Sequence, residues 1–417
     1  MGAAGSLPLD RVNFPTRFVL SAGIAGRADT LGAPVRICVV YDCLYPHTVG
    51  GAERWYRNLS ERLADEGHDV TYLTLRQWAE GADPGVRGVR VIPVGPRMQL
   101  YVGGRRRIGP PLVFGLGVLR HLLRHGRRYD VVHTASFPYF SLLAAGLVRP
   151  RAGFRLVVDW HELWSREYWL EYLGPIGGRV GHAVQALCLR IPQKAFCFSR
   201  LSERRLREEG VRGDVVVLEG QFEGDPAQAP EPAEPVVVFA GRHIPEKRVP
   251  ALVPALVLAR ERIPGLRGEL YGDGPERSKV LESIRTLGLA ESVEAPGFVE
   301  GEVVERAMAR GLCLVLPSRR EGYGLVVLEA IARGTQAVVV RDEDNAAAEF
   351  IADGENGFVV ESSSPRDLAD AIVRVHEAGD ALRESTLAWF RRNAERLSLA
   401  HSLAVVSQTY SAVSTRS

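Results

Sequence analysis

Along this chain, short and nearly continuous apolar runs alternate with longer stretches whose apolar residues return every three or four positions. The run at 35–41 (VRICVVY) and the run at 312–316 (LCLVL) are of the first kind. Strands of a parallel sheet read this way because both faces of the sheet are covered. The same pattern predicts strands at 69–75, 89–94, 130–133, 155–159 and 194–199, with a first series ending around 215–218. Helices are expected at 52–66 and, with a basic surface, just ahead of residue 130. A second series follows. Its strands are expected at 236–239, 267–271, near 293, 312–316 and 336–340, and its helices at 249–262 and 276–286. A long amphipathic tail, 380–413, closes the chain. Strands alternating with helices imply right-handed βαβ units, and so an α/β protein with parallel sheets.

The two series are separated by QFEGDPAQAPEPAEP at 221–235, where proline and acidic residues predict a linker. Length agrees, since 417 residues exceed one ordinary core. The expected division is an N-terminal extension at 1–34, a first Rossmann-like domain at 35–220, the linker, and a second Rossmann-like domain at 236–394. No short-period repeat interrupts it. In such sheets ligands sit beyond the carboxyl ends of the strands, so the loops after strands are where chemistry is expected.

Composition narrows the class. A hydrophobic share of 46% with 24% charged residues fits a globular chain, and a net charge of +2 gives no reason to expect nucleic acid as a partner. Five cysteines (Cys38, Cys43, Cys188, Cys197, Cys313) form no CxxC pair, which points to buried, reduced thiols and a cytoplasmic protein. No apolar run reaches membrane-spanning length, and residues 1–34 lack the basic start and apolar core of a signal peptide. Of 52 basic residues only Lys194, Lys247 and Lys279 are lysine, so a lysine inside a motif carries extra weight.

Several loops stand out. After the 312–316 strand comes PSRREGYGLVVLEAIARG (317–334), in which seven residues separate Glu321 from Glu329. Strand, glycine loop and helix aim free backbone amides at an anion, and two helical turns let both carboxylates reach one cavity. After the 236–239 strand, Gly241 leads into Arg242 and Lys247, a planar fork and a point charge suited to a pyrophosphate. Gly272-Asp273-Gly274-Pro275 permits close approach of a flat base or phosphate, although a simple turn explains it equally well. Gly50-Gly51-Ala52-Glu53 opens the first helix and bares its N-terminus. Asp159-Trp160-His161-Glu162 places a histidine at a strand's cleft end, to bond a hydroxyl or to cap the chain. Trp160, Trp164, Tyr168 and Tyr172 repeat every four residues with Trp169 beside them, which predicts a helical core stripe. Asp342-Glu343-Asp344 resembles a metal motif but is read as a surface loop.

Assembled in order, GG-A-E, D-x-H-E, G-R-x(4)-K, G-D-G-P, P-G-F-V (296–299) and P-S-x(2)-E-G-x-G-L-V-x-L-E-A resemble the retaining nucleotide-sugar glycosyltransferases of family 4, with the GT-B fold. The resemblance runs from residue 35 to the C-terminus and is tighter in the second half. It implies two Rossmann-like domains facing a central cleft, with a C-terminal helix at 395–417 crossing back to the first. It implies that Arg242 and Lys247 neutralise the donor diphosphate, and that Glu329 binds the ribose hydroxyls. Glu321 would hold the donor sugar, and His161 would contact that sugar. The amides of Gly324 and Leu325 would cap the distal phosphate, with Gly322 and Tyr323 in the same loop. Gly50 and Gly51 would approach from the first domain, Gly241, Gly272 and Asp273 would border the donor, and Phe298 and Val299 would lie near its base. Tyr323 stands where phenylalanine is commoner, and GQFEGDP replaces the usual hinge segment.

Such a site implies a nucleotide-sugar co-substrate, no cofactor and no metal, in a monomer or homodimer. An epimerase of the same fold, or an enzyme coupling a nucleotide-activated donor to a non-sugar acceptor, is the alternative. The acceptor is not specified. From Arg97 to Arg128 the chain holds eight arginines, two histidines and one run of apolar residues without an acid. This reads as a solvated basic helix, with peripheral contact to the inner face of a membrane or an acidic acceptor as the alternative.

Overall fold

The computed structural model describes residues 34–48, 50–102 and 105–414. The first half runs β1 (Arg36–Val40), α1 (Gly51–Asp65), β2 (Asp69–Leu75), β3 (Arg90–Gly95), a two-rung hairpin of β4 (Tyr101–Val102) and β5 (Arg105–Arg106), α2 (Gly109–His125) and β6 (Val131–Ala135). It continues with α3 (Tyr139–Ala152), β7 (Arg155–Trp160), α4 (Arg166–Leu189), β8 (Lys194–Cys197), α5 (Arg200–Glu208) and β9 (Val215–Val217). Its sheet has the order β3-β2-β1-β6-β7-β8-β9 with every pairing parallel.

The second half runs β10 (Val236–Ala240), α6 (Leu252–Arg260), β11 (Arg267–Tyr271), α7 (Arg277–Thr286), β12 (Val293–Gly297), α8 (Gly301–Arg310) and β13 (Cys313–Leu316). Then come β14 (Arg320–Glu321), α9 (Leu325–Ile331), β15 (Gln336–Val340), β16 (Asp344–Asn345), β17 (Gly357–Val360), α10 (Pro365–Leu397) and α11 (Leu399–Ser414). Its sheet, β12-β11-β10-β13-β15-β17, is parallel too. Val236, Val237 and Val238 on β10 and Val338 and Val339 on β15 are fully buried, as strands covered on both faces must be.

Several sequence expectations need correction. Trp160 ends β7 and Trp164 lies in the loop before α4, so the aromatic period of four begins on a strand and only Tyr168, Trp169 and Tyr172 are helical. The helix expected at 249–262 opens with a 3-10 turn, Val249–Ala251. The amphipathic tail expected from residue 380 does start there, because Gly379 breaks α10 with φ 59°; the helical stretch ahead of it, from Pro365, is not among the expected elements. Residues 221–235 are laid along the second half: Ala227 N–H donates to Ala332 O, Glu234 N–H to Arg310 O, and Arg383 Nε to Glu231 O at 2.6 Å.

The chain crosses between halves twice, side by side. Phe222 N–H donates to Leu397 O at 3.0 Å, Leu399 N–H donates back to Phe222 O at 2.8 Å, and Ser402 Oγ accepts from Gly220 N–H at 3.0 Å. After this second crossing α11 joins the first half's core through Leu403, Val406 and Tyr410. The Tyr410 hydroxyl bonds His133 Nδ1; His133 Nε2 lies 2.7 Å from Asp159 Oδ1, whose Oδ2 accepts from Trp55 Nε1 at 2.7 Å. One buried network thus joins α11, β6, β7 and α1. All five cysteines are free and buried, and burial pushes the thiols of Cys197 and Cys313 up to about 12. Among the described residues no helix is long and apolar enough to cross a membrane.

Candidate active site

The carboxyl ends of both sheets supply the loops that matter. In the second half, β13 delivers Pro317 and Ser318, β14 carries Glu321, and Gly324 turns the chain into α9 with φ 95°, a conformation open to glycine at no steric cost. The first amides of a helix precede its hydrogen-bond ladder; in α9 Val327 N–H already turns back to Gly324 O at 2.9 Å.

Glu321 is held from two sides. Its Oε1 pairs with Lys247 Nζ and accepts from Ser318 Oγ at 2.9 Å, with both partners of the ion pair largely shielded from water. Lys247, therefore, does not stand alone beside Arg242; it is engaged with the carboxylate expected to hold the sugar. Arg242 is exposed and its guanidinium has no hydrogen-bond partner among the described residues. Its charge acts instead on Glu53 of α1, from the opposite half.

Glu329 projects from α9. Burial raises its carboxyl above the usual range, and Arg54 and Arg333 draw it back. Arg54 belongs to α1, so this carboxylate faces a cation across the cleft. Arg54 directly follows the Gly50-to-Glu53 motif, and that adjacency was the signal available in the sequence. Gly50 is the N-cap of α1 and Gly51 its first residue, but the helix start is already met: a Cβ on Gly50 would lie 2.3 Å from Glu53 Oε2. Burial and the neighbouring Asp42 raise the Glu53 carboxyl, opposed by Arg106 and Arg242. Asp42, fully buried beyond β1, pairs with Arg106 from the β4–β5 hairpin. Composition marked Arg106 as a surface cation; the fold turns it inward.

His161 follows β7. Its ring stacks on Phe198 at 4.6 Å between centroids and 2° between planes, and meets Tyr56 edge-on at 5.8 Å. Burial lowers its basicity, so the imidazole is neutral at pH 7, and its shielded Nε2 has no partner among the described residues. Gly322 is pressed against it: a Cβ there would fall 2.7 Å from His161 O and 2.7 Å from Glu162 Cγ. Only glycine lets the two halves meet at this point.

The remaining candidates border the same edge. Gly241 N–H donates to Tyr271 O, Gly272 N–H to Gly297 O, and Asp273 O accepts from His243 N–H, so three loops are laced together. Asp273 itself is exposed, Phe298 is 77% exposed beyond β12, and Val299 is half-buried behind it. His243 escaped the sequence reading. It is fully buried below Arg242 with neither ring nitrogen partnered among the described residues, and burial keeps it neutral. Tyr323 packs against both cores, and its hydroxyl, the feature that distinguishes it from phenylalanine, donates to Glu219 O at 2.5 Å beside the hinge.

A rim of contacts flanks the cleft. Arg320 lies 4.0 Å from the Tyr168 ring centroid and 5.2 Å from that of Trp164, and bonds Glu162 at 3.1 Å. Tyr168 Oη donates to Glu246 at 2.9 Å, Arg319 pairs with Glu171 at 2.8 Å, and Glu349 accepts from the amides of Arg200 and Leu201 at the start of α5. Asp344 pairs with Arg205 at 2.5 Å. The acidic triplet is thus more than a solvated surface loop: Glu343 is exposed, while Asp342 pairs with Arg248 and Asp344 joins the rim. Among the described residues no group of three or more histidine, cysteine, aspartate or glutamate side chains is placed to hold a metal ion.

Comparison with known proteins bears on both halves. Residues 50–219 match the glycosyl transferase 4-like domain and residues 221–394 match glycosyl transferases group 1. The chain is a GT-B glycosyltransferase. Glycogen synthase of Mycobacterium tuberculosis is 26% identical over 361 residues, 80% of this chain and 84% of that protein. The exopolysaccharide phosphotransferase SCO2592 of Streptomyces coelicolor is 36% identical over 140 residues, but this stretch is 33% of the chain and spans only 14% of that protein. Among solved structures, sucrose-phosphate synthase from Thermosynechococcus elongatus superposes with a TM-score of 0.72 at 20% identity, over 92% of this chain and 100% of its own. Anabaena HepE in complex with UDP and glucose superposes at 0.66 and 20% identity, over 90% and 99%. At such identities these structures speak to the GT-B fold.

Proposed function

We propose that this glycosyltransferase moves a sugar from a nucleoside-diphosphate sugar to an acceptor hydroxyl, with retention of configuration and without a metal ion. The observation that carries the reading is the meeting of Lys247, Glu321, Gly322 and His161 at one point between the halves. Arg242 and Lys247 supply fixed cations for the departing diphosphate, with the first amides of α9 at Gly324 and Leu325 beside them. Charges arranged before the reaction cost no reorganisation during it, and each is worth about 3 kcal/mol of barrier. Glu321, anchored by Lys247 and Ser318, holds the sugar hydroxyls. Glu329 takes the ribose, Gly51 approaches from the first half, and Phe298 and Val299 flank the base.

Neutral His161 offers a hydrogen bond to the transferred sugar without placing a second positive charge near its anomeric carbon. No side chain is assigned as a nucleophile, so the acceptor oxygen attacks from the face the diphosphate leaves, and its proton passes to the departing phosphate oxygen. Glycogen synthase among the relatives and HepE with UDP and glucose among the folds support a nucleotide-sugar donor.

Thermal melting with millimolar UDP-, GDP-, dTDP- and ADP-sugars tests the reading. One nucleotide class should raise the melting temperature, because a ligand bound only to the native state stabilises it. Stabilisation by none would overturn the assignment. Product analysis with the stabilising donor alone then separates transfer from epimerisation, which needs no acceptor.

A further inference from the structure

The large aliphatic side chains left in solvent are unevenly placed. Ile108, Leu112 and Leu116 form a row along α2, Leu147 lies on α3, and Ile176 and Val180 continue on α4. Leu116 is 68% exposed and Ile176 77%, although Phe114, Val118 and Leu122 on the opposite side of α2 are fully buried. The helix is therefore apolar on both sides, and only one side has a partner in the fold. α3 packs between α2 and α4, so the three helices form one continuous face. An apolar face of this extent marks an interaction site.

Its charge identifies the occupant. α2, α3 and the part of α4 beyond Gly174 contain no aspartate or glutamate, and exposed Arg120, Arg124, Arg151 and Arg179 border the aliphatic row. An aliphatic centre inside an arginine margin free of acids matches a helical face that lies on an anionic bilayer.

We infer that this three-helix face seats the protein on an anionic lipid surface. A second copy is disfavoured because an isologous contact would set arginine against arginine. Residues 1–33, with three arginines and two aspartates, carry the same sign and no complement to the face. Ile108 stands two residues beyond Arg106, which reaches into the cleft to Asp42, so the seated surface begins next to the first half's side of the cleft. The inference stands on the surface alone and does not depend on which donor the cleft takes.

Co-sedimentation of the full chain with phosphatidylglycerol–phosphatidylcholine vesicles, against phosphatidylcholine alone, tests it. Binding is expected to the anionic vesicles only and should fall as salt rises, since screening shortens the reach of surface charge. Arg120→Glu with Arg124→Glu should weaken partition by on the order of tenfold or more, and Leu116→Ser with Ile176→Ser should weaken it at every salt concentration. None of these four residues is among the candidate donor contacts, so both pairs should keep the wild-type response to nucleotide. For the unsubstituted protein, hydrogen exchange should slow on α2 and α4 when vesicles are added, which keeps the test open if a variant misfolds. The inference falls if the wild type does not sediment at low salt, if neither variant pair changes binding, or if light scattering shows a dimer that Leu116→Ser dissociates.

Discussion

Glu321 and Lys247 act as a pair at the scale of single residues, although the sequence presents them separately. Removing the amine leaves a shielded carboxylate without its counter-charge, so Lys247→Ala should cost both fold stability and catalysis. The expected loss in kcat/KM is roughly a hundredfold or more, the magnitude typical of one transition-state donor. Steady-state kinetics with the donor found by melting would check it.

Glu329 behaves differently. Its folded carboxyl titrates above its unfolded value because burial disfavours the charge. Protonation is therefore favoured in the fold, and ionisation at neutral pH is a standing cost. Glu329→Gln should raise the melting temperature at pH 7.5 by about 1–3 °C, with the gain gone near pH 4. The same substitution should weaken donor binding, because the amide replaces one acceptor oxygen with a donor-only NH2 group and loses the charge that strengthens the remaining bond. A melt that falls at pH 7.5 would contradict the buried-charge account.

At the scale of elements, the buried network through His133 joins four of them. Tyr410→Phe removes the hydroxyl that meets His133 Nδ1 and leaves a buried nitrogen unpartnered, at a cost of about 1–3 kcal/mol in unfolding free energy. Chemical denaturation would measure it, and an unchanged midpoint would show that the bond contributes nothing. How legible each element is depends on what shapes it. β2, β11 and β15 coincide with the ranges expected for them; β15 (QAVVV) is a nearly continuous apolar run, while β2 and β11 bury the polar residues Thr71, Thr74 and Glu269 among their apolar ones. The sequence reading assigns no helix to 139–152, where α3 is apolar on most sides and contains Pro150. It assigns no strand to Gly357–Val360, a four-residue edge strand too short to show a period. Residues of the site were legible wherever one motif holds them, as with Glu321 and Glu329. Pairings were not: Lys247 with Glu321, Arg54 opposite Glu329, and Arg106 with Asp42 join distant segments, and no local pattern encodes a contact that only the tertiary fold creates.

For the whole molecule, the contact between halves at Gly322 is the sharpest test. A methyl group there has no room against His161 O and Glu162 Cγ, so Gly322→Ala should part the halves while each keeps its core. Expected are a larger radius of gyration in solution scattering, a melting temperature within a few degrees of wild type, and kcat reduced at least tenfold. Unchanged scattering with full activity would show that the rim, Arg320 between Trp164 and Tyr168 included, tolerates the displacement.

The path of α11 also sets an order of assembly. The strands of the first half are written before residue 218, yet Leu403, Val406 and Tyr410 complete its core from the far end of the chain. On a ribosome the second half, whose elements span Val236–Leu397 without interruption, has all of its sequence available before the first has its last helix. The domain translated first is thus the domain finished last. Until then His133 and the α1 side of its sheet wait for a partner 277 positions away, so the arrival of α11, and not synthesis of the first half, is the step that closes its core.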